Sequence, residues 1–151
     1  MRKRTRHRRK EEEILNQLAD LFEGLRRQSE MGKPILVEGT KDEQVLRRLR
    51  IPGEILKYSE LGERKAISLL EGSGNRVILL TDFDKEGNEI AERVEEAALT
   101  GGFKIDKLTR RRLFELARNI TSELEGLGKV VERLRRQRLL GTTRSKPTLW
   151  L

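Results

Sequence analysis

Three short apolar runs along the chain have the length and composition typical of buried strands. They lie at 34–38, 55–58 and 76–81, and each follows a glycine or proline that marks a turn. A shorter run at 103–105 follows two consecutive glycines. The pattern therefore predicts a sheet of roughly four strands, with Tyr58 inside the second strand.

The segments around these runs carry apolar residues at spacings of three and four, as amphipathic helices do. The pattern predicts helices at 11–32, 41–50, 86–99, 109–119 and 123–138, and one more that begins at Ser59 or Leu61 and ends at Gly72. We expect Thr40 to cap the second helix. Strands that alternate with helices predict an α/β fold with a parallel sheet and right-handed crossovers.

The same pattern predicts how the 151 residues are organised. Their number suits one domain with short extensions. We expect a basic flexible arm at 1–10, an N-terminal helix at 11–32, an α/β core at 33–106, C-terminal helices at 107–138 and a tail at 139–151.

Charge is unevenly spread along the chain, which has a net charge of +8. Residues 1–10 carry +7 and residues 129–151 carry +6, whereas residues 11–128 carry −5. Basic ends around an acidic body suggest a polyanion as partner, although each end alone could be a solvated tail. We therefore expect nucleic acid, either RNA or DNA, to be the partner.

Composition excludes several kinds of site. The chain has no cysteine, and its one histidine, His7, lies in the basic arm, so cysteine or histidine metal sites and Ser-His-Asp triads are excluded. No apolar stretch is long enough for a membrane span or a secretory signal. We expect a cytoplasmic protein with no membrane partner, and the charged content of 38% suits a heat-adapted one.

Acidic residues follow two of the predicted strands. Glu38 follows the first strand, and Asp82, Asp84 and Glu86 follow the third. The carboxyl ends of parallel strands meet at one edge of a sheet, where ligands bind in open α/β folds. Converging carboxylates repel one another unless a cation neutralises them, and oxygen ligands suit Mg²⁺ or Mn²⁺.

A simpler interpretation exists for each half of this site. Asp84 could serve as a helix cap and nothing more, and Glu38 could be a single carboxylate on a loop. Three acids at alternate positions exceed what capping needs, and Gly87 allows a tight turn beneath them. Gly39 and Asp42 support the Glu38 half, which places a second acidic site after a strand.

Two segments together resemble the Toprim domain: VEGTKD at 37–42 and LTDFDKEGNEIA at 80–91. Toprim domains occur in type IA and type II topoisomerases, bacterial-type primases, overcoming-lysogenization-defect nucleases and the ribonuclease that matures 5S ribosomal RNA. The stretch 81–91, with Glu86 as third acid, is most similar to type IA topoisomerases. The whole chain looks like the small stand-alone archaeal Toprim proteins.

The resemblance covers residues 34–105 and implies a Rossmann-like parallel sheet. It also implies Mg²⁺ bound by Asp82 and Asp84, with Glu86 as a further ligand and Glu38 as a ligand or the acid/base, so that Glu38, Asp82 and Asp84 are the catalytic residues. Topoisomerases need a tyrosine nucleophile on a separate domain, and primases need a cysteine-based zinc domain, and neither fits this chain. The nuclease branch needs only the Toprim site and a metal-activated water.

Basic residues near the acids and on the last helices are candidates for phosphate contact. They are Lys41, Lys85, Arg110, Arg111, Arg112, Arg133, Arg135 and Arg136. Some of them could instead form the solvated faces of amphipathic helices, and Lys85 could be an ordinary loop residue.

We therefore expect metal-dependent phosphodiester hydrolysis on structured RNA or DNA. The alternatives are a non-catalytic nucleic-acid-binding subunit of a larger assembly and a primase- or topoisomerase-like accessory. The tail, with Trp150, is a candidate contact for a protein partner, and the sequence leaves the oligomeric state open.

Overall fold

The computed structural model describes residues 2–74 and 76–140, so the predicted tail from residue 141 onward, with Trp150, lies outside it. The strands are β1 (Ile35–Val37), β2 (Ile55–Lys57), β3 (Val77–Leu79) and β4 (Ile105–Asp106). The helices are α1 (Arg2–Glu30), α2 (Thr40–Arg48), α3 (Tyr58–Leu61), α4 (Glu63–Gly72), α5 (Lys85–Gly101), α6 (Leu108–Leu116) and α7 (Leu124–Leu139).

The four strands form one parallel sheet in the order β2-β1-β3-β4. This confirms the predicted α/β fold, a four-stranded parallel sheet flanked by helices. The first and third strands along the chain are neighbours in the sheet, where Ile35 pairs with Ile78 and Leu36 with Leu79. The residues that follow β1 and β3 therefore leave the sheet side by side.

Alternation along the strands divides the interior into two cores. In β1, Ile35 and Val37 pack into a core shared with α1, α2, α6 and α7, whereas Leu36 packs into a core shared with α4 and α5. The sheet is thus the middle of three layers, because each strand is apolar on both faces. The predicted N-terminal helix and C-terminal helices both belong to the first outer layer.

The first helix begins earlier than the sequence pattern predicted. Helix α1 starts at Arg2, so the arm at 1–10 that we expected to be flexible is helical over 2–10. Arginine and lysine are good helix formers, and the acids at 11–13 follow the basic residues at the spacing of neighbours on one helix face. Apolar periodicity missed this segment because its helix carries no apolar face there.

Several predicted boundaries are wrong by a few residues, the helix predicted to end at Gly72 is two helices, α3 and α4, and two of the wrong boundaries lie beside Glu38. The N-cap of α2 is Gly39 rather than Thr40, because the carboxylate of Asp42 accepts a hydrogen bond from the Gly39 N–H at 3.1 Å. Tyr58 begins α3 instead of ending β2, and the Ser59 N–H donates to the Glu38 carbonyl oxygen at 2.8 Å. Within 2–74 and 76–140, no helix combines the length and the apolar content needed to cross a membrane.

Candidate functional site

Glu38 and Asp82 lie against each other at the carboxyl edge of the sheet. The Asp82 N–H donates a hydrogen bond to Glu38 Oε1 at 3.1 Å, across 44 residues of sequence. The contact follows directly from the pairing of β1 with β3, which continues past the strands where the Leu80 N–H donates to the Leu36 carbonyl oxygen at 2.8 Å. The two predicted halves of the acidic site are therefore one site in space.

Asp84 caps the helix that follows. Its Oδ1 accepts a hydrogen bond from the Gly87 N–H at 2.7 Å, and its backbone is extended, as at an N-cap. The capping interpretation of Asp84 is therefore confirmed. Capping uses one carboxylate oxygen, and a carboxylate has several acceptor positions, so the cap does not exclude a ligand role for Asp84.

Gly87 lets the chain close beneath these acids. A Cβ atom at this position would lie 1.9 Å from the Asp82 carbonyl oxygen and 2.7 Å from Glu38 Oε1. Both distances are far below van der Waals contact, so a side chain here would push the acids apart. The Thr81 hydroxyl closes the same turn by donating to the Gly87 carbonyl oxygen at 2.9 Å.

The connection between α6 and α7 covers the other side of Asp82. The Leu124 N–H, at the start of α7, donates to Asp82 Oδ1 at 2.7 Å, and the Phe83 N–H donates to the Ser122 carbonyl oxygen at 2.7 Å. The start of a helix favours a negative charge, which suits Asp82. No signal in the sequence indicates this contact, because it joins residues about forty positions apart outside the sheet.

Arg110 holds the loop of acidic residues from α6. Its guanidinium donates to the carbonyl oxygens of Thr81 and Asp82 and to Asn88 Oδ1, each at 2.8 Å, and lies 4.9 Å from the centre of the Phe83 ring. The residue is 8% exposed. This placement does not fit the phosphate contact predicted for Arg110, and we interpret it as a positioning residue.

Burial and mutual repulsion change the acidity of this site. Burial, with the charge of Asp82, raises the pKa of Glu38 from 4.5 to about 7, against the opposing hydrogen bond from the Asp82 N–H. Burial also raises the pKa of Asp82 from 3.8 to about 6, with the charges of Asp42 and Asp84 adding to it and the Leu124 N–H opposing it. Four carboxylates therefore act on one another here.

Asp42 belongs to this group more fully than its predicted supporting role suggests. It is buried, and burial together with the charges of Glu125 and Glu123 raises its pKa. Glu86 differs: it is exposed in the first turn of α5 and is not among the charges that act most strongly on Glu38 or Asp82. Its role as a third ligand stays a prediction.

The donor set suits a hard divalent cation, because every acidic side chain offers oxygen and none offers sulfur or imidazole. In the described part of the chain, however, no three such groups are already arranged as a ligand set. Oδ1 of Asp82 and Oδ1 of Asp84 each accept a hydrogen bond from a backbone N–H, which leaves the other carboxylate oxygen of each residue as a potential ligand.

The other predicted phosphate contacts lie in two places. Lys41 and Lys85 are exposed in the first turns of α2 and α5, close to the acids in sequence. The remaining arginines lie on the last two helices, with Arg135 half-buried and the others exposed, namely Arg111, Arg112, Arg133 and Arg136. Their contacts with phosphate stay predictions.

Relatives in sequence carry one family name. The chain is 38% identical to the UPF0292 protein PF1724 of Pyrococcus furiosus over 101 residues. The matched segment covers 67% of this chain and 76% of that protein. A UPF0292 protein of Archaeoglobus fulgidus is 31% identical over 115 residues, with 76% of this chain and 90% of that protein covered. The chain belongs to the UPF0292 family. The family name states no activity or ligand.

The fold is also found in a solved structure. A protein from Aquifex aeolicus matches this chain with a TM-score of 0.61 and 29% identity, over 70% of this chain and 94% of that protein. The match supports the α/β fold of this UPF0292 protein. No family model matches the chain.

Proposed function

We propose that this protein is a Mg²⁺- or Mn²⁺-dependent phosphodiesterase that acts on nucleic acid through a Toprim-like site. The observation that carries the proposal is the hydrogen bond between the Asp82 N–H and Glu38 Oε1, with Asp84 two residues along. The acids of the VEGTKD and LTDFDKEGNEIA segments then share one edge of a parallel sheet, as the resemblance to Toprim domains implies.

Electrostatics supports a cation at this edge. The raised pKa values of Glu38 and Asp82 mean that ionising both groups in the folded protein costs free energy. Glu38, Asp82 and Asp84 would hold the ion through their oxygens. A bound divalent cation would activate a water and neutralise charge on a scissile phosphate.

The chain's own residues have distinct parts in this proposal. Glu38 would accept at a carboxylate oxygen the proton that the attacking water loses, since burial raises the pKa of Glu38 to about 7. Gly87 and Arg110 keep the acids at their spacing, the first by leaving room and the second by binding the loop backbone. Lys41 and Lys85, which are exposed in the first turns of α2 and α5, would contact phosphate. The cytoplasm is the compartment in which we expect this activity.

A second candidate function is non-catalytic binding of nucleic acid within a larger assembly. The observation that favours it is the state of the acids: Oδ1 of Asp82 and Oδ1 of Asp84 hold helix termini, and the guanidinium of Arg110 already places one positive charge beside them. In this case the acidic edge of the sheet would have only a structural role, and the basic surface would bind the nucleic acid.

The test is a cleavage assay with pure protein on structured RNA, supercoiled DNA and single strands, each with Mn²⁺, Mg²⁺ or EDTA. We expect cleavage of at least one substrate with a metal ion and none with EDTA. Glu38→Gln should abolish it, whereas Glu89→Gln, an equal charge change at an exposed site on α5, should not. Binding without cleavage under every condition would support the second function instead.

A further inference from the structure

A groove between α2 and α7 concentrates positive charge on one outer face. It has a volume of about 330 Å³ and is lined by Arg48, Lys129, Glu132, Arg133 and Arg136, which we call the basic groove. Four cationic side chains surround one acid, so the groove carries a formal charge of +3. Neither Arg48 nor Lys129 was among the residues that the sequence indicated for phosphate contact.

The acid of the groove is already shared between two arginines. Glu132 Oε2 accepts from Arg48 Nε at 3.2 Å, and Glu132 Oε1 accepts from an Arg136 terminal nitrogen at 3.1 Å. Within 2–74 and 76–140, Arg133 forms no ion pair. Each guanidinium has five N–H donors, so donors exceed the acceptors that the groove itself supplies.

Arg135 adds to this excess at the same helix pair. One of its terminal nitrogens donates to the Arg48 carbonyl oxygen at 3.3 Å, and its buried Nε has no hydrogen-bond partner among the described residues. Burial, together with the nearby charge of Arg50, lowers the pKa of Arg135. Lys129 pairs with Glu125 at 2.9 Å, so two acids, Glu125 and Glu132, stand against the four cations of the groove and Arg135. The excess of positive charge favours a polyanion as the occupant.

The groove leads to the acidic edge. Helix α7 begins at Leu124, whose N–H binds Asp82, and the groove follows one to three turns along the same helix. Glu125 lies in the first turn of α7, and its hydrogen bond with Lys129 lowers its pKa, with the charges of Lys41 and Arg48 adding to this. Basic residues therefore flank this acid between the groove and the sheet edge.

We propose that the basic groove binds the sugar-phosphate backbone of a nucleic-acid strand and directs that strand to the acidic edge of the sheet. From Lys129 to Arg136 the helix rises by about 10 Å. Measured along the axis of a duplex, this length corresponds to about three phosphates of one strand, at roughly 3.4 Å of axial rise for each. That the strand continues to the acidic edge rests on the proposed function, but its binding in the groove can be measured without any cleavage.

The experiment measures binding of a short fluorescent DNA duplex, and of an RNA duplex of the same sequence, over a series of salt concentrations in EDTA. The groove variant is Lys129→Gln/Arg133→Gln. Its control is Arg64→Gln/Lys65→Gln, which removes the same charge from exposed positions on α4, in the opposite layer. Melting temperatures establish that both variants fold.

At about 0.1 M salt we expect the groove variant to lose affinity by roughly 50-fold, with a log–log salt slope smaller by about 1.8, because two phosphate contacts are removed. The control should bind as the wild type does. Equal losses in both variants would reduce the effect to net charge and overturn the proposal, as would unchanged binding in the groove variant or no binding by the wild type.

A polyglutamate competitor separates nucleic acid from an acidic protein as the occupant. If polyglutamate binds as tightly as the duplexes and is equally weakened by the groove variant, the assignment to nucleic acid is overturned. Cleavage is read separately in Mn²⁺. If the groove binds the duplexes in EDTA but no substrate is cut in Mn²⁺, the binding proposal stands and the proposed phosphodiesterase activity is contradicted.

Discussion

Single carboxylates at the sheet edge should make the stability of the metal-free protein depend on pH. Glu38 and Asp82 have pKa values of 4.5 and 3.8 in the unfolded chain, but of about 7 and about 6 in the folded protein. The folded protein therefore holds more protons across this interval. The stability that the pair contributes is fully present below about pH 4 and is lost as the pH rises through about 6 and about 7.

The measurement is the free energy of unfolding by denaturant in EDTA, from about pH 4 to about pH 8. The Glu38→Gln/Asp82→Asn variant cannot ionise at these positions, so it should gain stability relative to the wild type as the pH rises. Comparing the two proteins cancels the titrating groups that lie away from this site. A difference that stays constant with pH would contradict the account of the two pKa values.

Gly87 offers a second prediction at this scale. Gly87→Ala should destabilise the protein by about 1–3 kcal/mol or more, because the new Cβ meets the Asp82 carbonyl oxygen at 1.9 Å. Gly24→Ala on α1 is the control, since nothing lies within 4 Å of its Cβ, and it should stabilise by up to about 1 kcal/mol. Denaturant unfolding of both variants checks this. Equal changes in the free energy of unfolding would contradict the close packing of Gly87 against the acidic loop.

At the scale of elements, the contact between α6 and the acidic loop depends on Arg110. Arg110→Ala should cost about 2–3 kcal/mol, because the carbonyl oxygens of Thr81 and Asp82 lose their charged donor. Arg111→Ala, next to it but exposed, should change stability by less than about 0.5 kcal/mol. Thermal and denaturant unfolding measure both, and a tolerant Arg110 would return it to the surface role that the sequence suggested.

The cap of α5 gives a prediction that separates stability from chemistry. Asp84→Asn keeps an acceptor for the Gly87 N–H, so its stability should match that of the wild type, whereas Asp84→Ala should lose about 1 kcal/mol. Both variants should lose metal-dependent cleavage. An Asp84→Asn protein that cuts at the wild-type rate would leave Asp84 with its capping role alone.

What the sequence could predict is set by how local each signal is. The strands were predictable because their apolar runs are short and bounded by turns, and the meeting of Glu38 with Asp82 followed from parallel pairing. The start of α1 could not be predicted, because a helical segment rich in arginine has no apolar face to detect. The one-residue errors at Gly39 and Tyr58 arose because hydrogen bonds at element ends, such as that from Gly39 to Asp42, are invisible to periodicity.

At the scale of the whole molecule, the outer layer of α1, α2, α6 and α7 completes what the sheet begins. It supplies Arg110 beneath the acidic loop and the Leu124 N–H beside Asp82. Sequence reasoning placed the arginines of α6 together on the surface because residues adjacent in sequence look alike, whereas the fold buries Arg110 and exposes Arg111. Such contacts between distant segments depend on packing, which no local pattern encodes.

The central claim is that Glu38, Asp82 and Asp84 form a site for a divalent cation. Calorimetric titration of Mn²⁺ into the wild type and into Asp82→Asn/Asp84→Asn tests it most directly, since both substitutions keep acceptors for the Leu124 and Gly87 N–H groups. We predict saturable binding by the wild type and none by the double variant, with the exposed Glu89→Gln control binding normally. Equal Mn²⁺ binding by the double variant and the wild type, or no binding by either, would contradict the claim.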